Sequence, residues 1–337
     1  MHKPLVSFAI PTYNRSAKLA RLLKILYAQT ECVAADAVEV LISDNCSTDD
    51  TPLVMDQYAP YGARLFRQTT NLDLDANLRF LYEQARGQYV WFFSDDDILL
   101  PGALRKVLDA LASRSPDVLL FSFAQPPGLT RPTFDLRDDI TVITDIRRII
   151  EFVLFYYKLS IYVVSKQHKQ VSPGCRVAPV NTLYDFLILA LSALQRSPCP
   201  TLCILREQLA SCDDEYYIIR GPPGVSASLW KVAEHPFIQE HYPDLKRMLR
   251  VRSMEEYTNF LLAIRAGVYK PHPDYLEAYQ AAVRQLSFYR CIVYDTTALL
   301  KRSLDRLHLT GLCRNLLSLY RRLKAVGREG VRRRAWH

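Results

Sequence analysis

Several signatures are missing from this chain, and each absence removes a class of protein. The eight cysteines form no CxxC pair, which excludes a zinc knuckle and a small disulfide scaffold and fits a reduced, cytosolic setting. No stretch approaches the roughly 18 consecutive apolar residues of a spanning helix. The nearest, Ile149 to Val164, is interrupted by Glu151 and Lys158. The run after Lys3 is too short for a signal peptide and meets Pro11 at once. GxGxxG, GxxxxGK followed by Ser or Thr, HExxH and GxSxG are all absent, so dinucleotide, P-loop, zincin and serine-hydrolase readings lack their essential residues. A phosphate ligand here would need a metal ion to receive it. His168, His235, His241 and His272 sit in loops or beside prolines without ligand spacing, and no role is assigned to them.

What is present is a globular composition. With 337 residues, 49% of them hydrophobic, the chain can bury a large core and form one large α/β domain with an appendage. The net charge of +8 is unevenly placed. Residues 283–337 hold thirteen Lys or Arg against Asp295, Asp305 and Glu329, a local +10 that leaves the remainder nearly neutral. Such a tail reads as an attachment surface for anionic lipid or another polyanion. Leu312, Leu316, Leu319 and Leu323 fall on or near one helical face with Arg314, Arg321, Arg322 and Lys324 around them, the pattern of a helix lying in a membrane interface. No nucleic-acid recognition motif accompanies it, so no nucleic-acid partner is expected.

Along the chain, apolar strands alternate with amphipathic helices. Leu5 to Ile10 reads as a first strand. Pro11-Thr12-Tyr13-Asn14 turns it into a helix with Ser16 as N-cap and Leu19, Leu22, Leu23 and Leu26 on its inner face. Val38 to Ile42 is a second strand, ended by Ser43-Asp44-Asn45 and a helix-starting Ser47-Thr48-Asp49-Asp50 cluster. A short strand, Arg64 to Phe66, precedes a polar loop from Asn71 to Asn77 and a helix from Leu78 to Ala85. Tyr89 to Phe93 is an uninterrupted apolar strand, Pro101 begins a helix with Leu104, Val107, Leu108 and Leu111 as its core stripe, and Asp117 to Phe121 is a further strand. Beyond Gln125 the pattern loosens into a helix near Asp145 to Tyr157, strands at Ser160 to Val164 and Thr201 to Leu205, and a helix from about Thr182 to Leu194 between them. This alternation implies a mostly parallel sheet flanked by helices, with right-handed crossovers. The sheet domain is expected over 1–220, with Gly221-Pro222-Pro223-Gly224 as linker, and a helical, basic region over 225–337.

The apolar strand Tyr89 to Phe93 stops at Ser94 and then three adjacent carboxylates, Asp95, Asp96 and Asp97. Ligands of open α/β sheets bind beyond the carboxyl ends of the strands, which is where these acids fall. Three like charges repel unless a cation joins them, and a hard divalent ion takes carboxylate oxygens while leaving positions for substrate phosphate. The residues alone equally allow a solvated acidic turn capping the helix at Pro101. Asp44 and Asn14 likewise suit either ligand binding or helix capping.

Three ordered stretches, Val6 to Asn14 (VSFAIPTYN), Val40 to Thr51 (VLISDNCSTDDT) and Gly87 to Pro101 (GQYVWFFSDDDILLP), together resemble the family 2 glycosyltransferases of the GT-A fold, of the bacterial surface-polysaccharide type. The resemblance covers about the first 125 residues strongly and 145–210 loosely. It implies that the first loop (Pro11, Thr12, Tyr13, Asn14) and Asp44 cradle the nucleotide, with Tyr13 stacking on the base. It also implies that the triplet is the DxD motif, holding Mg²⁺ or Mn²⁺ on the diphosphate. On that basis Asp95 contacts ribose or metal, Asp97 ligates metal directly, and Asp96 lies among the donor-binding groups with Asn71 and Asn77. One departure is Asp73, where relatives often carry glycine. The family's general base is an acid near the start of a later helix. Asp185, ahead of Phe186-Leu187-Ile188-Leu189 and the only acid between Glu151 and Glu207, suits that role or that of an acid interacting with a helix dipole. Arg206 is a candidate for holding phosphate, and Tyr156, Tyr157 and Trp230 for lining an acceptor cleft.

These features lead to the expectation of a metal-dependent, inverting glycosyltransferase. It would take a nucleotide-sugar donor and a glycan or lipid-linked acceptor, and work in the cytoplasm as a peripheral protein at the inner face of the cell membrane. The alternatives are a sugar-phosphate nucleotidyltransferase, which should begin with a glycine-rich loop where this chain has Pro11-Thr12-Tyr13-Asn14, and a non-catalytic sugar-nucleotide or carbohydrate-binding module.

Overall fold

The uninterrupted apolar runs become the centre of one sheet. The computed structural model describes residues 3–124, 134, 136–156, 158–166, 182, 184–212, 231–232, 234–243 and 245, which belong to one compact unit, Met1–Tyr217 with Ser228–Leu249. The Gly221-Gly224 linker, the basic segment 283–337, Tyr157, Trp230, His168 and His272 lie outside the described residues. The elements are β1 (Val6–Thr12), α1 (Ser16–Thr30), β2 (Val38–Asp44), α2 (Thr51–Asp56), β3 (Arg64–Arg67), α3 (Asp73–Gln84), β4 (Tyr89–Phe92), β5 (Asp97–Leu99), α4 (Ala103–Arg114), β6 (Val118–Ala124), β7 (Ile140–Ile143), α5 (Ile146–Phe155), β8 (Val163–Ser165), α6 (Asp185–Arg196), β9 (Leu202–Cys212) and α7 (Pro236–His241).

The sheet runs β3-β2-β1-β4-β8-β6-β9-β5, with β7 also on β9. Its first half is parallel, with Val6 opposite both Val38 and Tyr89. β1 and β4 are buried along their whole length, as strands covered on both faces must be. Phe8 meets Trp91 edge-on at 4.9 Å and stacks with Phe93 at 5.1 Å. The leucine stripes of α1 and the apolar stripe of α4 are buried as their spacing requires, each fully covered leucine contributing about 1.5–3 kcal/mol.

The second half is mixed rather than parallel. β8 sits between β4 and β6 and is antiparallel to both, because the chain enters it from a 3-10 turn, Leu159–Ile161, at the carboxyl end of β4 and has to run back. β9 extends to eleven residues, well past the expected end at Leu205. Phe121 pairs Leu205 but Ser122 pairs Gln208, so Arg206 and Glu207 form a bulge that the polar sequence disguises as a strand end. The prolonged part receives β5 at Ala210–Cys212, while β7 joins the earlier part at Leu202–Leu205, two antiparallel neighbours with no clear signal in the sequence.

Two further elements differ from expectation. α3 begins at Asp73, not Leu78; the polar residues read as loop are its cap and buried face, with the Ala76 amide donating to Asp73 Oδ1 at 2.9 Å. α7 lies beyond the expected linker yet packs on α6, burying Phe237 and Ile238, while the Tyr242 hydroxyl donates to the Leu191 carbonyl at 2.9 Å. Among the described residues no helix is long and apolar enough to cross a membrane.

Where β1 and β4 enter the sheet, Gly87 leaves no room for a side chain. A Cβ there would lie 2.6 Å from the Ser7 amide nitrogen and 2.9 Å from the Tyr89 carbonyl. Both are sheet backbone and cannot yield, so Gly87→Ala should destabilise the unit by about 1–3 kcal/mol. Urea denaturation would register this as a lower midpoint at unchanged slope.

Candidate active site

The loops that leave β1, β2 and β3 are tied to one another by short polar side chains. The Asn14 amide donates to Ser47 Oγ at 2.8 Å, and Asn14 Oδ1 accepts the Thr48 amide at 2.7 Å. Asp44 accepts the Ser47 amide at 3.0 Å and the Ser47 hydroxyl as well. Asn45 links the second loop to the third, donating to Asn71 Oδ1 at 2.9 Å and accepting the Leu72 amide at 2.8 Å. Asn14, Cys46 and Asp73 all hold positive φ, 51°, 71° and 67°, a left-handed backbone that costs a non-glycine residue free energy and that hydrogen-bonded loops can hold. The Asp73 position, where a glycine was the expected habit, is thus one whose conformation glycine adopts freely. Tyr13 projects from the first loop, 43% exposed, while Pro11 and Thr12 are buried at the end of β1. Asn77 is 1% exposed and holds the end of β2, accepting the Ser43 hydroxyl at 2.6 Å and donating to the Ser43 carbonyl at 3.1 Å. It is a buried scaffold group with no surface to offer a nucleotide.

The triplet is buried, not a solvated turn, and each acid has its own partners. Arg15 Nη1 lies 2.9 Å from Asp95 Oδ1 and 2.7 Å from Asp96 Oδ2. The other Asp95 oxygen is buried beside the Thr12 hydroxyl without a well-aligned hydrogen bond. Asp96 also accepts the Ser94 hydroxyl at 2.5 Å, and its carbonyl accepts Arg21 Nη2 at 3.3 Å. Asp97 turns elsewhere, to the Ser160 hydroxyl at 2.5 Å and Lys158 Nζ at 3.0 Å; that ammonium also rides 4.5 Å above the Phe123 ring. Burial pushes Asp95 up to about 6 against the pull of Arg15, with the Asp96 charge adding to the rise. Burial pushes Asp97 to about 6 as well, against Lys158. For Asp96 burial is outweighed by Arg15, Ser94 and Lys158, leaving its carboxyl below the usual range.

This arrangement bears on the metal implied by the resemblance. Among the described residues no three His, Cys, Asp or Glu side chains converge on one point. Two do, Asp95 and Asp96, and the point is marked by a cationic nitrogen of Arg15. Two carboxylates with substrate phosphate and water completing the shell is a usual setting for Mg²⁺, so this pair fits a divalent ion. Asp97, expected as the direct ligand, instead meets the Ser160 hydroxyl on one oxygen and Lys158 Nζ on the other. Arg15, Lys158 and Ser160 were not singled out from the sequence. Arg15 directly follows the first-loop motif, whereas Lys158 showed only as a break in an apolar run.

Asp185 opens α6 and is 1% exposed. Arg79 of α3 grips it with both arms, Nε to Oδ2 and Nη2 to Oδ1, each at 2.5 Å. One turn earlier on α3, Asp75 accepts the Thr182 amide and hydroxyl at 2.5 and 2.7 Å and the Asp185 amide at 3.2 Å. The i, i+4 pair Asp75 and Arg79 therefore clasps the start of α6. Burial raises Asp185 to about 6 against the Arg79 interaction. His235, the N-cap of α7, is buried and lowered to about 4, by burial first and then by the Arg79 charge.

Because Asp185 is raised in the fold from 3.8 to about 6, it favours folding most when protonated. That contribution is complete below the lower value and lost as pH rises through the upper. Arg79→Met removes the group opposing this rise. It should cost about 3–5 kcal/mol near pH 8, where a buried carboxylate is left unpaired, and distinctly less near pH 5, where the carboxylate takes up a proton. Denaturation measured at both pH values would reveal the difference; equal losses would mean that the charge on Asp185 is not what Arg79 holds.

Residues 7–164 match the sequence profile described as glycosyl transferase family 2. The abequosyltransferase RfbV of Salmonella typhimurium is 36% identical over 119 residues, 34% of this chain and 35% of that protein. The GalNAc(5)-diNAcBac-PP-undecaprenol beta-1,3-glucosyltransferase of Campylobacter jejuni is 31% identical over 108 residues, 31% and 34% of the two chains. This chain thus spans about a third of the length of the curated relatives it matches. Residues 1–349 of S. aureus TarS in complex with UDP-GlcNAc superpose with a TM-score of 0.60 over 94% of this chain and 91% of that one, at 16% identity, a likeness of fold. Residues 7–164 of this chain thus match the glycosyl transferase family 2 profile and lie on a GT-A-like α/β fold.

Proposed function

We propose that this protein is a metal-dependent, inverting glycosyltransferase that moves a sugar from a nucleoside-diphosphate sugar to a hydroxyl of a glycan or lipid-linked saccharide. The observation that carries this reading is the convergence of Asp95 and Asp96 on one cationic nitrogen, beside the loop that presents Tyr13. In this reading Tyr13 stacks on the base, and Asn14, Asp44 and Asn71 shape the nucleotide pocket. Asp95 and Asp96 hold the divalent ion, Mg²⁺ or Mn²⁺, and Asp97 stations Lys158. The bound ion supplies positive charge against the departing diphosphate. Asp185 accepts the proton of the acceptor hydroxyl as its oxygen attacks the anomeric carbon, and the bond to the diphosphate breaks on the opposite face, the electron pair leaving with the phosphate. A carboxyl near 6 is ionised at neutral pH yet basic enough for this step. The Arg79 fork occupies one lone pair on each oxygen and leaves others.

The nucleotidyltransferase alternative loses support where a glycine-rich loop should be, since the first loop is held by Asn14 side-chain bonds. Incubation with UDP-, GDP- and CDP-sugars should give transfer or hydrolysis of one donor, abolished by excess EDTA; full activity in EDTA would refute the metal. Asp96→Asn should lower turnover by about 10²-fold or more. Asp185→Asn should lower kcat by about 10²-fold or more with donor affinity nearly unchanged, whereas parallel loss of donor affinity and stability would leave Asp185 the clasp role alone.

The basic segment 283–337 supports a second element of this reading, attachment to an anionic membrane surface where a lipid-linked acceptor is met at the cytoplasmic face. Each basic residue near such a surface contributes on the order of 1 kcal/mol. The full chain should pellet with liposomes in proportion to their anionic content and less at high salt, and a truncation before Val283 should not. Equal pelleting of both would remove the segment as the anchor.

A further inference from the structure

We propose that Arg15 is a place-holding cation. Without a donor its guanidinium occupies the point between Asp95 and Asp96 that the metal ion takes in the working complex. When the ion binds, Arg15 turns to the donor's diphosphate, and metal and nucleotide therefore bind cooperatively. This rests on the metal-dependent reading above and deepens it.

The geometry of the contact is the main argument. Arg79 grips a single carboxylate with two nitrogens, the usual fork. Arg15 instead sets one nitrogen, Nη1, within reach of two carboxylates, 2.9 and 2.7 Å away, at the point where a single cation would sit between them. The backbone of Arg15 has a hold of its own, its amide donating to Thr51 Oγ1 at 3.0 Å, so the place of the first loop does not depend on where the guanidinium sits. Its side chain is 24% exposed, which leaves it a way toward solvent. Charge and space both bear on the exchange. The triplet carries three buried carboxylates, with the cations Arg15 and Lys158 on their oxygens and Arg21 on the Asp96 carbonyl. A divalent ion cannot share the Asp95–Asp96 point with a guanidinium, and a guanidinium released beside an arriving diphosphate has an anion to receive it. Linkage makes the effect reciprocal: whatever factor nucleotide adds to metal affinity, metal adds to nucleotide affinity.

The test is Mn²⁺ binding to the full chain, followed by electron paramagnetic resonance with and without UDP or GDP. The wild-type protein should bind Mn²⁺ weakly alone and about tenfold or more tightly with one of the nucleotides. Arg15→Gln should bind Mn²⁺ alone about tenfold or more tightly than wild type, with the nucleotide enhancement reduced. Arg15→Lys, which keeps the charge but has a shorter reach, should fall between. As a check on folding, Mn²⁺ should raise the melting temperature of Arg15→Gln more than that of wild type. If Arg15→Gln binds Mn²⁺ no better than wild type while nucleotide still promotes binding in both, the place-holding role is refuted and the metal reading stands. If neither protein binds Mn²⁺ under any of these conditions, both readings fall.

Discussion

Three carboxylates in a row, all buried, set a condition that the surrounding structure has to meet. A buried charge is tolerated only when paired and hydrogen-bonded, and neighbours in sequence cannot supply the cations here. They come from far along the chain, Arg15 eighty residues before Asp95 and Lys158 some sixty after Asp97. The parallel register of β1 against β4 brings the first within reach, and the antiparallel register of β8 against β4 brings the second. The site is therefore as much a product of strand order as of its own motif.

Much of the first 125 residues was legible because each element there is written in a local pattern. The apolar runs of β1 and β4 and the leucine spacing of α1 and α4 depend on burial of their own faces, and those faces are buried. The ends of β1, β2 and β4 did mark loops that gather at one edge. What local pattern could not convey is which polar groups serve ligand and which serve scaffold. Asn77 and Asp73 looked alike as loop residues, yet one is sealed under Ser43 and the other starts a helix. The second half was harder for a different reason. The directions of β8, β5 and β7 are set by what lies beside them in space, and the bulge at Arg206–Glu207 hides strand continuity behind two charges.

Asp185 shows how isolation in sequence can mislead about isolation in space. No other acid stands near it in the chain, but Asp75 and Arg79 of α3 hold it, and the Arg79 charge also reaches His235 at the start of α7. The Asp75 and Arg79 pair sits at helical spacing on α3, and that spacing was the available signal. The clasp also joins α3 to α6, so an acid proposed for catalysis is at the same time a structural joint.

The placement of β8 has a consequence for how such a domain can diversify. Its immediate approach carries Lys158 and Ser160 to the triplet, and the strand is then locked between β4 and β6. The long excursion of chain that separates β6 from β8 is anchored in the sheet at both of its ends. β7, within that stretch, is itself a strand of the sheet on β9, and Lys158 and Ser160 close it beside Asp97, so variation compatible with the charges around the triplet is confined to the chain before Lys158 and outside β7.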